Sequence, residues 1–201
     1  ENCRAFEDVT FRPRSAVATR ACDLRTTVLG RSLDLPVLLG PVGSSRMFYP
    51  RGEEVAARAA GAAGTAYVLS TLSGCAVKDV AAASRGPVWY QLYLVGGRDV
   101  ASGAIARARA AGYSALAVTI DTAVSGLRER DVRNEFELPD GLAIACVPEG
   151  AVDAPAGQSG LAAYFATMLD ASLDWADLEW LASRTSLPVA VKGVHRADDA
   201  E

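Results

Sequence analysis

Histidine is almost absent from this sequence. Only His195 stands among 201 residues, and the four cysteines, Cys3, Cys22, Cys75 and Cys146, form no C-x-x-C pair. Zinc sites gather Cys and His at close spacing, and disulfide scaffolds need paired cysteines in short chains, so neither is suggested. Reduced thiols in a cytoplasmic protein are expected instead. An excess of positive charge is also lacking: 20 Lys+Arg stand against 24 Asp+Glu, a net charge of -4 with a pI near 5.1. Phosphate backbones are bound by basic faces, so nucleic acid is not an expected partner, and small molecules or proteins are. No run approaches the ~18 consecutive apolar residues of a membrane span. The opening Glu-Asn-Cys-Arg-Ala-Phe has neither the basic nor the apolar region of a signal peptide. What is present is apolar substance: 50% of residues are hydrophobic and the mean hydropathy is +0.15. That is enough to bury a core as one globular domain over residues 1–201, so disorder is not the expectation.

Apolar runs bounded by Gly or Pro recur at Leu35 to Gly40, Thr65 to Ser70, Pro87 to Leu94, Ala115 to Asp121 and Leu187 to Lys192, and each reads as a buried strand. Alanine-rich stretches with helical spacing lie between them: Gly52 to Ala63, Ala76 to Ser84, Asp99 to Ala111, and Trp175 to Ser183. Ser172 and Asp174 are candidate caps for the last. Continuous apolar strands alternating with helices imply a parallel sheet covered on its faces, either doubly wound or a TIM (β/α)8 barrel. The barrel is favoured because polar residues sit at the C-terminal ends of the runs: Ser70, then Gln91 with Tyr93, then Thr119 with Asp121, then Lys192. Residues two apart on a strand share a face, and in a barrel those ends converge on one mouth, where active sites are built. A closed barrel has eight strands and typically about 250 residues, so the sequence reads as about the first five βα units of one. Val124 to Leu173, with Pro139, Pro148 and Pro155, breaks the rhythm. A lid, a partner contact or a disordered loop is expected at about 135–170.

On the residues alone, the strand-end groups have more than one reading. Ser70, Gln91 and Thr119 could face a ligand or be satisfied structural groups, and Tyr93 could be a buried aromatic with its hydroxyl bonded elsewhere. Lys192 ends an otherwise apolar strand, where an ammonium is costly unless paired with negative charge. It could serve an anionic cofactor, form a Schiff base or be solvated. Pro41-Val42-Gly43 could be an ordinary βα turn. Arg130 and Arg133 are expected to pair with Glu129 and Asp131.

Trp89-Tyr90-Gln91-Leu92-Tyr93, Thr119-Ile120-Asp121-Thr122, Gly126-Leu127-Arg128-Glu129-Arg130-Asp131-Val132-Arg133-Asn134 and Leu187-Pro188-Val189-Ala190-Val191-Lys192-Gly193 occur in that order. With Asn2, Ala5-Phe6, Arg12-Pro13-Arg14, Leu35-Pro36-Val37 to Gly43, and Leu69 to Ser73, this series resembles the FMN-dependent α-hydroxy acid dehydrogenase and oxidase family over essentially the whole chain. That family includes glycolate oxidase, lactate oxidase and mandelate dehydrogenase. The resemblance implies FMN as cofactor and oxidation of a small (S)-2-hydroxy acid to the 2-oxo acid. Pro41, Val42 and Gly43 would lie against the flavin ring, while Ser70, Gln91 and Thr119 would hydrogen-bond its polar edge. Lys192 would face N1 and the C2 carbonyl, where a cation stabilises the reduced ring. Arg128 would clamp the substrate carboxylate and Tyr93 would reach the substrate through its hydroxyl. Gly43 would leave room above the ring, pointing to a mandelate-like acid. The resemblance further implies a tetramer-like homo-oligomer.

The sequence departs from the family pattern at several points. Leu127 stands where a second Arg is frequent, and Tyr49 where many relatives have His before Pro-x-Gly-Glu, here Pro50-Arg51-Gly52-Glu53. The family's base is a histidine in a Ser-Asn-His-Gly-Gly-Arg-like motif on the strand after the lysine, which these residues do not contain. His195 lies in the loop after the lysine strand and is not expected to replace it. The phosphate anchor, expected from loops after the last two strands, and an N-terminal family tyrosine are not among these residues either. Two rivals stand beside the enzyme reading: another flavin-dependent barrel enzyme, and an inactive partial barrel serving as an interaction module or fragment, whose open sheet edge would seek a partner.

Overall fold

The computed structural model describes residues 2–18, 21–123, 129–136, 139, 141–142, 144–146 and 172–201. In chain order the elements are α1 (Asn2–Glu7), β1 (Thr26–Val28), β2 (Arg31–Leu33), a 3-10 turn (Ser45–Met47), α2 (Gly52–Ala62), β3 (Tyr67–Leu69), α3 (Val77–Ala83), β4 (Val88–Leu92), α4 (Gly97–Ala110), β5 (Ala115–Thr119), α5 (Glu129–Arg133), α6 (Trp175–Ser183) and β6 (Val189–Lys192). The last four strands form a parallel sheet in the order β3-β4-β5-β6, so consecutive strands are neighbours.

Side-chain alternation divides this sheet into two chemically different faces. Tyr67, Leu69, Val88, Tyr90, Leu92, Leu116 and Val118 are buried in one core with Ala57 and Ala60 of α2, Ala104 and Ala108 of α4, and Leu178 and Leu181 of α6. The alanines let helix backbones lie close on the sheet, and each fully buried Leu or Val contributes roughly 1.5–3 kcal/mol. The opposite face carries Val68, Trp89, Ala115 and Ala117, which form a smaller core with Leu33 and Ala66. Continuing along that second face toward the strand C-termini leads to Ser70, Gln91, Thr119 and Lys192, as the period of two requires.

The α6 helix is held by a capping box. Asp174 accepts from the Asp177 amide at 3.1 Å and its own amide donates to Asp177 at 3.4 Å. Asp177 also takes a 3.0 Å ion pair from Arg98 of α4, whose guanidinium lies 5.0 Å from the Trp180 ring centroid. The last βα unit is thereby tied to its predecessor.

Two expectations need correction, and one element was not expected. The first strand, Leu35 to Gly40, is reduced to one parallel bridge between Leu39 and Tyr67, with Leu39 N donating to Ala66 O at 3.1 Å and Val68 N donating to Leu39 O at 2.9 Å. Pro36 has no N–H to give a ladder, and Val37 and Leu39 are 55% and 40% exposed, so little burial favours a longer pairing. β6 is not a fully buried strand: Val191 and Lys192 are exposed, because among the described residues no strand pairs with its outer edge. Finally, an antiparallel hairpin, β1-β2, precedes the sheet, turning at Leu29-Gly30 with φ of 46° and 75°. Positive φ at both positions suits the right-handed twist of the flanking strands, and Gly30 adopts it without a Cβ penalty.

Most of the expected loop at 135–170 lies outside the described residues. Where it is described, Ala145 N donates to Ser73 O at 2.9 Å, and buried Cys146 accepts from Arg107 Nη2 at 3.2 Å through its carbonyl oxygen.

Candidate active site

The strand-end polar residues form one connected network. The amide of Gln91, 1% exposed, sits at its centre: Oε1 accepts from Thr71 N at 3.2 Å and from Ser70 Oγ at 3.4 Å, while Nε2 donates to Thr119 Oγ1 at 2.9 Å. Thr71 Oγ1 donates to the Gln91 carbonyl at 2.6 Å, and Ser70 Oγ accepts from Leu72 N at 3.1 Å. Buried polar groups must be paired, and here three strand ends satisfy one another. Thr119 accepts from Gln91, which leaves its own O–H proton for a further acceptor, and the second Nε2 hydrogen of Gln91 is also a donor.

Lys192 is opposite Thr119 in the β5-β6 register, and its Nζ lies 3.5 Å from Asp121 Oδ2, with side-chain exposures of 47% and 27%. Gly193, at φ +103°, permits this approach; a Cβ there would fall 2.6 Å from both Cβ and Cγ of Asp121. Asp121 therefore sets a negative charge beside the Lys192 ammonium, both groups being partly open to solvent. Tyr93 is half-buried, with its backbone N donating to Thr71 Oγ1 at 3.4 Å. Arg128 lies outside the described residues. Nearby, Arg133 pairs with Glu129 at 3.3 Å, as expected of that charge run. His195 and Tyr49 are exposed.

Pro41, Val42 and Gly43 lie in the loop after the Leu39 bridge, which packs on the loop after β3. A Cβ on Gly43 would fall 2.5 Å from Leu72 Cβ and 3.1 Å from both Leu72 O and Ser70 Oγ. The missing side chain thus accommodates the neighbouring loop. Ser44 Oγ donates to Leu72 O at 2.8 Å and Arg46 Nη1 to Gly74 O at 3.2 Å across the same seam.

Sequence reasoning assigned no role to Thr71, Ser44 or Glu53. Thr71 and Ser44 are ordinary loop residues until the two loops meet. Glu53, in the first turn of α2, is wholly buried; its Oε1 accepts from Ser45 N at 2.7 Å and Gly74 N at 3.2 Å. Cys75 lies close by, and burial, reinforced by that carboxylate, pushes its thiol up to about 11. Burial pushes the Cys146 thiol up to about 12 and raises the Tyr67 phenol, the latter with help from Glu53. Cys3 and Cys22 are exposed and free.

Among the described residues no helix is long and apolar enough to cross a membrane. The chain is similar to several known proteins over nearly its whole length. Glycolate oxidase 3 of Arabidopsis thaliana is 42% identical over 203 residues, covering 100% of this chain and 55% of that protein. L-lactate oxidase of Nostoc sp. is 44% identical over 207 residues, covering 100% and 57%. Among solved structures, a soluble mutant of the membrane-associated (S)-mandelate dehydrogenase from Pseudomonas putida superposes with a TM-score of 0.86 at 36% identity, covering 99% of this chain and 56% of that one. Mandelate oxidase with (S)-4-hydroxymandelic acid gives 0.89 at 33% identity, covering 98% and 56%. The chain spans about half the length of the curated relatives it matches. The parallel sheet and its helices are accordingly part of a TIM barrel. The family model for FMN-dependent dehydrogenases matches residues 1–201, and this chain belongs to that family of FMN-dependent enzymes.

Proposed function

We propose that this chain supplies the flavin-facing and carboxylate-facing part of an FMN-dependent enzyme that oxidises a small (S)-2-hydroxy acid to the 2-oxo acid. The observation that carries the reading is the Ser70–Gln91–Thr119 network at three adjacent strand ends, with Lys192 in register on the fourth. Its chemistry fits the polar edge of a flavin ring. The Lys192 ammonium, the remaining Gln91 Nε2 hydrogen and the Thr119 hydroxyl are donors, and the hydroxyl oxygens are acceptors. FMN, when bound, supplies a two-electron acceptor. Lys192, oriented by Asp121, would hold positive charge beside the edge where negative charge develops. Pro41, Val42 and Gly43 would present main chain to the ring, their loop packed on that of Ser70. Arg128 would hold the substrate carboxylate as a bidentate fork and Tyr93 would orient the acid through its hydroxyl. The relatives are named as oxidases or dehydrogenases of glycolate, lactate and mandelate, all 2-hydroxy acids. That range supports the substrate class, and Gly43 gives no ground for choosing a mandelate-like member.

A visible spectrum tests the proposal. The expected result, for the intact protein that carries this chain, is a yellow colour as isolated or on reconstitution with FMN, and anaerobic bleaching by a 2-hydroxy acid; an intact protein that takes up no flavin sinks it. We further read the protein as one partial barrel domain over 1–201 and as a cytoplasmic homo-oligomer, on its composition and family resemblance. Size exclusion with light scattering would detect the oligomer, and a monomer at all concentrations refutes it.

A further inference from the structure

We infer that Glu53 is a positioning residue, whose carboxylate fixes the separation of the two loops that carry Gly43 and Ser70 and so sets the shape of the cofactor cleft without lining it. The inference rests on the flavin reading above for what the cleft holds, and on geometry for how it is held.

Glu53 is 0% exposed, although carboxylates are seldom fully buried without paired partners. Both contacts of Oε1 are backbone N–H groups, and they come from different loops: Ser45, two residues after Gly43, and Gly74, four residues after Ser70. One oxygen atom therefore bridges the two loops. Its second oxygen, Oε2, is buried with no hydrogen-bond partner among the described residues. The backbone contacts from both loops thus converge on one carboxylate oxygen, as in a clamp, while the Cys75 thiol lies beside the same carboxylate.

The backbone around it leaves no slack. A Cβ on Gly52 would fall 2.5 Å from Arg46 N, so the start of α2 rests directly on the first loop, and a Cβ on Gly74 would fall 2.9 Å from Arg46 Cδ. The Ser44 and Arg46 hydrogen bonds cross the same seam and depend on the same spacing. On the far side of the second loop, Ser70 Oγ contacts Gln91 Oε1 at 3.4 Å and thereby joins the strand-end network. A change in length at Glu53 is thus transmitted through Gly74 and Leu72 to Ser70, and through Ser45 to Gly43.

The test uses two variants of the intact protein that carries this chain. Glu53→Gln keeps an oxygen acceptor at the same reach, whereas Glu53→Asp keeps the carboxylate but withdraws it by one methylene. Two readouts are taken: FMN affinity, by titration of flavin fluorescence, and residue-level amide exchange. The expected result is that Glu53→Asp weakens FMN binding by about tenfold and shifts the visible band of the bound flavin. Fast exchange should then appear at Ser45 and Gly74 while the β4 and β5 amides stay protected, and Glu53→Gln should match the parent protein in both readouts. Equal behaviour of the two variants, or exchange that quickens evenly along the chain, overturns the inference. Should Glu53→Asp fail to fold, Glu53→Gln decides: retained affinity and protection support the clamp, and their loss refutes it. A parent protein that binds no FMN would sink the flavin reading instead, and protection of Ser45 and Gly74 in Glu53→Gln would still judge the clamp.

Discussion

Gly43→Ala offers a direct measure of how tightly the two loops meet. The added Cβ would start 2.5 Å from Leu72 Cβ and 3.1 Å from both Leu72 O and Ser70 Oγ. Non-bonded carbons settle at about 3.5–4.0 Å, so the shortfall is about 1.0–1.5 Å. The obstacle is itself a Cβ, which no change of rotamer can move, and the loops must part. Overpacking of that kind costs about 1–3 kcal/mol. Parting also stretches the 2.8 Å bond from Ser44 Oγ to Leu72 O, worth about 0.5–1.5 kcal/mol. Equilibrium urea unfolding should therefore show a loss of about 2–4 kcal/mol with an unchanged slope. Leu72→Gly removes the obstructing atom. Although costly alone, it should combine with Gly43→Ala in a double-mutant cycle with a favourable coupling of about 1–2 kcal/mol. The opposite account, in which Gly43 opens space above a cofactor ring, predicts a stability-neutral alanine and a changed preference for substrate size. A Gly43→Ala protein within about 0.5 kcal/mol of its parent, or a cycle additive to about 0.3 kcal/mol, would refute the packing argument.

Gln91→Leu keeps the volume but strands the Thr71 N–H and the Thr119 hydroxyl in a buried site, and should cost about 2–4 kcal/mol in urea unfolding together with FMN affinity; a change within experimental error would show that the network is slack. Asp174→Ala removes the acceptor of the α6 capping box and should cost about 0.5–2 kcal/mol, with Asp174→Asn recovering most of it. The buried thiols predict an alkaline weakness. Below the ordinary thiol value of 9.0 both folded and unfolded chains are protonated, but as pH climbs the unfolded chain sheds protons that Cys75 and Cys146 retain until about 11 and 12. Stability should therefore fall progressively above pH 9, and Cys146→Ala should flatten the fall; a urea midpoint independent of pH over that window would contradict it. In the folded protein a thiol reagent should modify Cys3 and Cys22, reaching Cys75 and Cys146 only after unfolding.

The strands β3 to β6 and the helices between them were legible because their signals are local. Apolar runs ended at Gly or Pro, alanines recurred at helical spacing, and a period of two carried Gln91 and Thr119 to one face. Asp174 was equally readable as a cap from its place before an apolar helix. The hairpin was not, since its strands are three residues long and its turn places Leu29, rather than Asn or Asp, at positive φ. Leu35 to Gly40 looked like its neighbours in composition, yet pairing there depends on what covers it, and only Leu39 is bridged.

Glu53 marks the deeper boundary. Read along the chain it is an acidic residue in a first helical turn, where the macrodipole alone accounts for it. Its amide partners lie 8 and 21 residues away and are brought to it only when the two loops close. The small neighbours Gly43, Gly52 and Gly74 are the trace that this closure leaves in the sequence, each sitting where a Cβ would strike the other loop or the chain leading to it. Strand periodicity places Ser70, Gln91 and Thr119 on a common face, but Ser70 can reach Gln91 only if its own loop is held at the right depth. That depth is set by backbone contacts between loops, which no pattern of side-chain types encodes directly. The candidate site is therefore written twice, openly in the polar ends of the strands and indirectly in the glycines and the buried carboxylate that hold its first two loops together.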